Sequence, residues 1–578
     1  MAGKVSPVRI SFGVLLVCAV LVGFLPAHFG RVSSRVRAQE VGLAEGATET
    51  MIKDLVHQMS LEEKIGQMLM IEQWRDLDET RRAIVKLHIG GELLDGSSLT
   101  DPVQAAAFTN RLQEMTQHTR LRVPLLFSAN LETGLGYILP AATVFPTNMG
   151  FGAARSGELV YAAAQITAEE ARAIGIHMSL APVMDVNNNP KNPVIGVRSF
   201  GESPDLVSEL GVQAIRGLQE NGMIATAKHF PGHGDTGVDS HIDLPTVPHG
   251  WQRLERVEFK PFRAAIGAGV KAIMTSHVTF PAIEPEARLP ATLSRRVLTD
   301  LLRKKLGFNG IIITDSMVMK AIVKNFGLEE AAVRAVQAGA DIILAAYTFE
   351  QLEKVSGALV AAVRNSEIPE EQLDASVERI LAAKADVGLF KEPFVAVEKV
   401  SAVVGSLEHR QKAKLIAKQA VTLLRDDVGL LPLHLKATDR ILLISASPDD
   451  AFIAALRRYR LQASELKVGR GPDPAQIDRA LELARDNELI IIATYATGEL
   501  PVTQRRLVAE VIKLGKPVVV VSLGTPYDAA WLPDARTVLA AYAAGPWVVV
   551  KPPIEAAVDY LFGRAQAGRG LPVTIPAQ

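Results

Sequence analysis

The sequence predicts an α/β protein: a (β/α)8 TIM-like barrel followed by a smaller α/β sandwich domain with a mostly parallel sheet. Three observations predict it. At 578 residues the chain is too long for one domain. Short apolar, β-branched runs alternate with longer amphipathic stretches, the pattern of βαβ units. Polar residues able to do chemistry stand at the ends of the apolar runs, where a barrel builds its site.

The first runs are Met68–Glu72, Ile89–Leu94, Pro124–Leu131, His177–Val186, Met223–Phe230, Val270–Val278, Gly310–Met317 and Asp341–Tyr347. The stretches between them, such as "SGELVYAAAQITAEEARAIG" and "DLVSELGVQAIRGLQENG", carry apolar residues at helical spacing. Eight such units are expected over residues 50–395. Residues 396–410 read as a linker leading into a helix near Leu407, and residues 411–578 as the second domain. Its expected strands are Ile441–Ser447, Leu489–Ala496, Pro517–Gly524 and Val538–Ala544. It carries neither a dinucleotide glycine fingerprint nor a P-loop lysine, so no nucleotide and no other cofactor is expected.

Composition excludes some classes. Apolar residues make up 48% and charged residues 22%, ordinary for a chain that buries a core. The net charge of −1 gives no reason to expect a nucleic-acid partner. At the N-terminus, Lys4 and Arg9 precede the apolar run Ile10–Leu25, the order of a secretory leader. A small-residue cleavage point follows Ala38 in "VRAQE", which makes residues 1–38 a signal peptide. The long gap carrying Arg31, Arg35 and Arg37 keeps an uncleaved membrane anchor open as the alternative. In either case the folded part is expected outside the cytoplasm. Cys18 is the single cysteine, so no disulfide is expected past the leader.

Asn130, Asp185, Lys228, His229, His277 and Asp315 lie at or near the C-terminal ends of expected barrel strands. Residues 228–241, "KHFPGHGDTGVDSH", put three histidines, two aspartates and a lysine into fourteen positions. His229 and His233 have the spacing of a helical zinc pair, but Pro231 and Gly232 between them forbid the helix, so no metal is expected. Acid–base chemistry fits better. Asp239 and His241 are two apart, so in an extended segment they share a side. A carboxylate on one imidazole nitrogen leaves the other to give and take a proton near neutral pH. Gly232, Gly234 and Gly237 would let this loop bend over a substrate. Asp315, after the apolar run of "GIIITD", suits a nucleophile held at the barrel mouth or an N-cap for the next helix; the residues leave both open.

The chain resembles glycoside hydrolase family three, in its β-N-acetylglucosaminidase branch. The resemblance rests on "MSLEEKIGQMLM" (59–70), "APVMDVNNNPKNPVIGVRSFGESP" (181–204), "ATAKHFPGHGDTGVDSH" (225–241), "ATLSRRVLTDLLRKKLGFNGIIITDSM" (291–317) and "AVTLLRDDVGLLPL" (420–433). It implies a retaining, exo-acting hydrolase of terminal N-acetylglucosamine on cell-wall or chitin-like glycans. It implies Asp315 as the nucleophile, His241 as the general acid/base with Asp239 as its partner, and Lys228, His229 and Arg198 as ligands of sugar hydroxyls. The chain departs from the branch in "ANLETGLGYI", where Asn130 stands in place of an acid that usually grips the sugar. Asn130 keeps hydrogen-bonding capacity without charge. Two other functions remain open: a phosphorylase using the same residues, and a non-catalytic sugar-binding protein, which only Asn130 favours.

Overall fold

The structure is a computed structural model that describes residues 48–577 except 73–75, 97–98, 346–347, 437, 448 and 461. The leader falls outside the described residues. Among the described residues no helix is long and apolar enough to cross a membrane. The elements below belong to the compact unit Asp54–Gln578.

Eight parallel strands form the barrel: β1 (Leu69–Glu72), β2 (Gly91–Leu94), β3 (Leu126–Ala129), β4 (Met178–Ser179), β5 (Ile224–Phe230), β6 (Ala272–Thr275), β7 (Ile311–Ile313) and β8 (Ile343–Leu344). They run β7-β6-β5-β4-β3-β2-β1-β8, and a parallel bridge from Ile313 to Ile342 closes the ring. Helices cover the outside, so strands such as "IATAKHF" of β5 are buried along their whole length. That double burial is why they read as continuous apolar runs rather than as alternating ones. The strands are shorter than the sequence predicts. β4 has two residues and β7 three, because the chain leaves the ladder early and spends the remaining polar residues on the loops that build the site.

The second domain is a six-stranded sheet ordered β11-β10-β12-β13-β14-β9. These are β9 (Thr422–Asp426), β10 (Arg440–Ser445), β11 (Gln462–Lys467), β12 (Leu489–Thr494), β13 (Val518–Ser522) and β14 (Thr537–Ala540). β10, β12, β13 and β14 are the four expected strands. β9 and β11 are the two edges that the sequence did not reveal, and β9 runs antiparallel to β14. Residues 396–410 carry short helical turns at Val397–Lys399 and Val400–Val403 before the helix Leu407–Lys418 begins. The second domain docks on the barrel through a shared core, in which Met149, Ala153 and Val197 pack with Tyr527, Tyr542 and Val573. Thr147 donates to the Tyr542 carbonyl at 2.8 Å and Asn187 to the Tyr527 hydroxyl at 3.2 Å across the same junction.

One buried acid stands outside this logic. Glu92 pairs in register with Ile71 and Phe127, so it points to the opposite face from Leu93, away from the barrel interior. It is fully buried, and neither carboxylate oxygen has a hydrogen-bond partner. Burial, with Asp95 nearby, pushes its carboxyl up to about 8. A group raised in this way weakens the fold as pH climbs from its unfolded value of 4.5 to about 8. Glu92→Gln is therefore expected to stabilise the protein by about 3 kcal/mol at neutral pH, and by almost nothing at pH about 4. Urea denaturation of both proteins at the two pH values checks this; an equal difference at both would overturn it.

Candidate active site

A cavity of about 230 Å3 opens at the C-terminal ends of the barrel strands. Asn130, Arg198, Lys228, His229, His241 and Asp315 all line it. The structure thus brings together six of the seven residues to which the sequence gives catalytic or sugar-binding roles. The seventh, Asp239, sits behind His241 and bonds to its ring.

β5 carries Lys228 and His229 as its last polar residues. The Lys228 ammonium donates to Asn130 Oδ1 at 3.0 Å and lies 2.8 Å from Glu132 Oε1. Arg198, on the helical turn Gly196–Arg198, donates to both oxygens of Glu132, at 2.9 and 2.7 Å. Glu132 is thus held between two cations, and although burial opposes ionisation, Arg198 and Lys228 hold its carboxyl far below the usual range. Burial lowers the Lys228 ammonium despite Glu132. The carboxylate in turn outweighs burial at Arg198 and raises the guanidinium. Tyr137, another cavity residue, is pushed up to about 12 by burial and by the charge of Glu132. Glu132 lies in "ANLETGLGYI" with no local feature to mark it; its position between two basic residues distant in sequence is visible only in the fold.

Asp185 organises the first half of the long loop. Its oxygens accept from His229 Nδ1 at 2.7 Å, and from the His229 and His233 amides at 3.3 and 2.6 Å. This fixes the His229 tautomer, leaving Nε2 as the ring atom that can meet a ligand. Both ring nitrogens of His233 are occupied by hydroxyls, Thr236 Oγ1 at 2.8 Å and Ser240 Oγ at 3.1 Å. Burial and the neighbouring His229 bring His233 down to about 4, so it stays neutral at physiological pH.

The second half of the loop corrects one expectation about geometry. Residues 239–241 are not extended. They form a turn in which the Ile242 and Asp243 amides return to the Asp239 carbonyl. The Asp239 side chain caps that turn, with Oδ1 accepting from the His241 amide at 2.8 Å and facing His241 Nδ1 at 2.7 Å. The pair meets because a short acidic side chain bonds the backbone two residues on, which a strand would not allow. The glycines also divide in their roles. A Cβ on Gly234 would lie 1.8 Å from the Val186 carbonyl oxygen, so Gly234 permits close backbone packing rather than bending. Gly237 has open space where a side chain would stand, so no close packing requires a glycine there.

His241 is half exposed at the mouth of the cavity. Its hydrogen bond to Asp239 raises it above the ordinary imidazole value, against the effect of burial. Its ring packs on the indole of Trp547 from the second domain, centroids 5.1 Å apart. No sequence pattern marked that tryptophan.

Asp315 lies two residues past the end of β7. Burial works against its ionised form, but His229, His277, the Ser316 amide and Lys228 outweigh it and hold the carboxyl below the usual range. Oδ1 accepts from the Ser316 amide at 2.8 Å. The alternative of a helix cap is excluded: the next helix runs Lys320–Phe326 with Met319 at its N-cap. His277 braces this loop, with Nε2 donating to the Ser316 carbonyl at 2.9 Å and Nδ1 beside Thr292 Oγ1 at 2.9 Å. The Ser316 hydroxyl bonds Glu72 across the cavity.

The chain is similar to known proteins along most of its length. Residues 60–383 match the N-terminal domain of glycosyl hydrolase family 3, and residues 421–578 match its C-terminal domain. A protein of Cellulomonas fimi named β-N-acetylglucosaminidase/β-glucosidase is 29% identical over 90% of this chain and 95% of its own length. The β-hexosaminidase A of Pseudoalteromonas piscicida is 29% identical over 86% of this chain and 91% of its own. The structure of a family 3 β-N-acetylglucosaminidase from a Paenibacillus species superposes with a TM-score of 0.82 at 36% identity, covering 90% of this chain and all of that one.

Proposed function

The chain belongs to glycosyl hydrolase family 3, and from that premise we propose that it is an exo-acting β-N-acetylglucosaminidase that works by retention on cell-wall or chitin-like fragments outside the cytoplasm. The observation that carries the reading is the meeting, in one cavity, of an ionised buried carboxylate and an imidazole paired with its own carboxylate. In this reading Asp315 attacks the anomeric carbon and forms a covalent glycosyl-enzyme. His241, with Nδ1 held by Asp239, gives a proton from Nε2 to the departing oxygen. The neutral imidazole then takes a proton from the incoming water, and Asp315 leaves as carboxylate. An imidazole in place of a second carboxylate avoids like-charge repulsion with Asp315 during the first step. Arg198, Lys228 and Asn130 offer fixed donors to sugar hydroxyls, His229 offers Nε2, and the charge balance set by Glu132 keeps both basic groups from drifting. The cavity has room for one sugar ring, which supports action at chain ends.

The basic-then-apolar order of residues 4–25 supports export. Cell fractionation that found the native protein in the cytosol would overturn that part of the proposal. The activity is tested on purified residues 39–578 with a chromogenic N-acetyl-β-glucosaminide and its glucoside counterpart. Preferential hydrolysis of the former is expected. Sugar 1-phosphate appearing when inorganic phosphate is added would replace the hydrolase with a phosphorylase, and inertness toward both substrates would sink the reading.

A further inference from the structure

Tyr137 lines the cavity, and among the described residues its hydroxyl has no hydrogen-bond partner. The fully buried tyrosines of the second domain each have one. Tyr495 donates to the Gly545 carbonyl at 2.9 Å and Tyr542 to Thr422 Oγ1 at 3.0 Å, while the Tyr527 hydroxyl accepts from Asn187 at 3.2 Å. A phenol withdrawn from water normally keeps a partner, because leaving it unpaired forfeits its hydration. The charge of Glu132 reaches Tyr137, but that carboxylate is already taken. Arg198 donates to both of its oxygens, and Lys228 stands 2.8 Å from one of them. Nor does the ring hang from a loose support. Tyr137 ends the helical turn Leu135–Tyr137, where the Gly136 amide donates to the Thr143 carbonyl at 2.8 Å. A Cβ on Gly134 or on Gly136 would lie 2.8 Å from that same carbonyl oxygen, so the two segments touch backbone to backbone. Thr143 is fixed in turn by the buried Glu170, which accepts from its amide at 2.8 Å and its hydroxyl at 2.6 Å.

An unpaired donor on a rigid support, aimed into a cavity, points to a partner that arrives with the ligand. The strand order says which part of the ligand. In the closed ring β3 stands four strands from β7 in either direction, directly across the barrel. Asp315, beyond β7, has to meet the anomeric carbon. The segment after β3, which carries Asn130, Glu132 and Tyr137, therefore faces the opposite end of the sugar. In a pyranose the carbon across the ring from C1 is C4, with C6 beside it. We propose that Tyr137 is a further sugar-binding residue, whose phenol donates to a hydroxyl at the C4–C6 end of the reacting sugar and reads that end of it. The hydroxyl keeps its proton at neutral pH and is a standing donor there. This inference rests on the glycosidase reading above.

The test measures kcat/KM of the wild type and of Tyr137→Phe on a nitrophenyl N-acetyl-β-glucosaminide and on its 4-deoxy and 6-deoxy analogues. The substitution removes one oxygen and keeps the ring, so the thermal midpoint should not fall. On the parent substrate kcat/KM should drop about tenfold, the scale of one hydrogen bond whose partner is left unpaired in the complex. On the analogue that lacks the hydroxyl Tyr137 holds, the two proteins should differ by less than about twofold, since neither can make the bond. An undiminished loss on both analogues would show that the phenol acts elsewhere and overturn the proposal, as would no loss on the parent. A wild-type protein inert on the parent substrate would instead sink the glycosidase reading, and this inference with it.

Discussion

Asp315→Ala will lose turnover by about 10^4-fold, on the order of 5.5 kcal/mol of transition-state stabilisation, while the protein keeps its fold. The loss is large because nothing else in the cavity can take over the attack. Among the described residues, Glu132 is clasped by Arg198 and Lys228, Glu72 is engaged by the Ser316 hydroxyl, and Asp185 is committed to His229 and His233. The fold should survive because each neighbour keeps another partner. His229 retains Asp185, and His277 retains Thr292 and the Ser316 carbonyl. Added azide should enter the vacated space, restore turnover and give the glycosyl azide of inverted configuration. The product's anomeric configuration by NMR and an unchanged thermal midpoint check both halves. Near-normal activity in Asp315→Ala would refute the nucleophile.

Both the barrel and the location of its site can be read from the linear chain, because in a parallel barrel each strand is buried on both faces and its first polar residue marks the rim. "IIITD" and "IATAKHF" show this directly: apolar until the rim, then Asp315 or Lys228 and His229. The edges of the second sheet are different. β11 reads "QASELK" and carries little apolar patterning, since an edge strand need not bury both faces; β9 ends in an arginine and an aspartate whose partners, near residues 532–537, lie a hundred residues away. Contacts made by tertiary closure leave no local trace. Glu132 between Arg198 and Lys228, and Trp547 against His241, join residues whose spacing says nothing. The Asp239–His241 pair was legible as a pair but not as a turn. Spacing of two serves both a strand and a side-chain cap on the backbone, and the adjacent glycine and serine favour the turn.

His241→Ala should separate substrates by leaving group. For a sugar leaving group the proton is needed as the bond breaks, and kcat/KM should fall by about 10^2–10^4-fold. A nitrophenolate departs without that help, so formation of the glycosyl-enzyme should persist while its hydrolysis slows. The variant should then show a burst of nitrophenol followed by a slow steady state. Asp239→Asn should give a milder version, because the imidazole remains but loses the bond that raises it. The sign of the pH effect follows. His241 must be protonated to act as acid, and its raised value extends that form to higher pH; without Asp239 the alkaline limb of kcat/KM on sugar leaving groups should move to lower pH. The structure makes substitution from nearby unpromising. His233 is neutral down to about pH 4 and both its nitrogens are engaged by Thr236 and Ser240. A uniform loss across all leaving groups in His241→Ala, with Asp239→Asn unchanged in rate and pH profile, would show that the pair is not the acid/base, and would require His233 to break both hydroxyl contacts or the second domain to supply the proton.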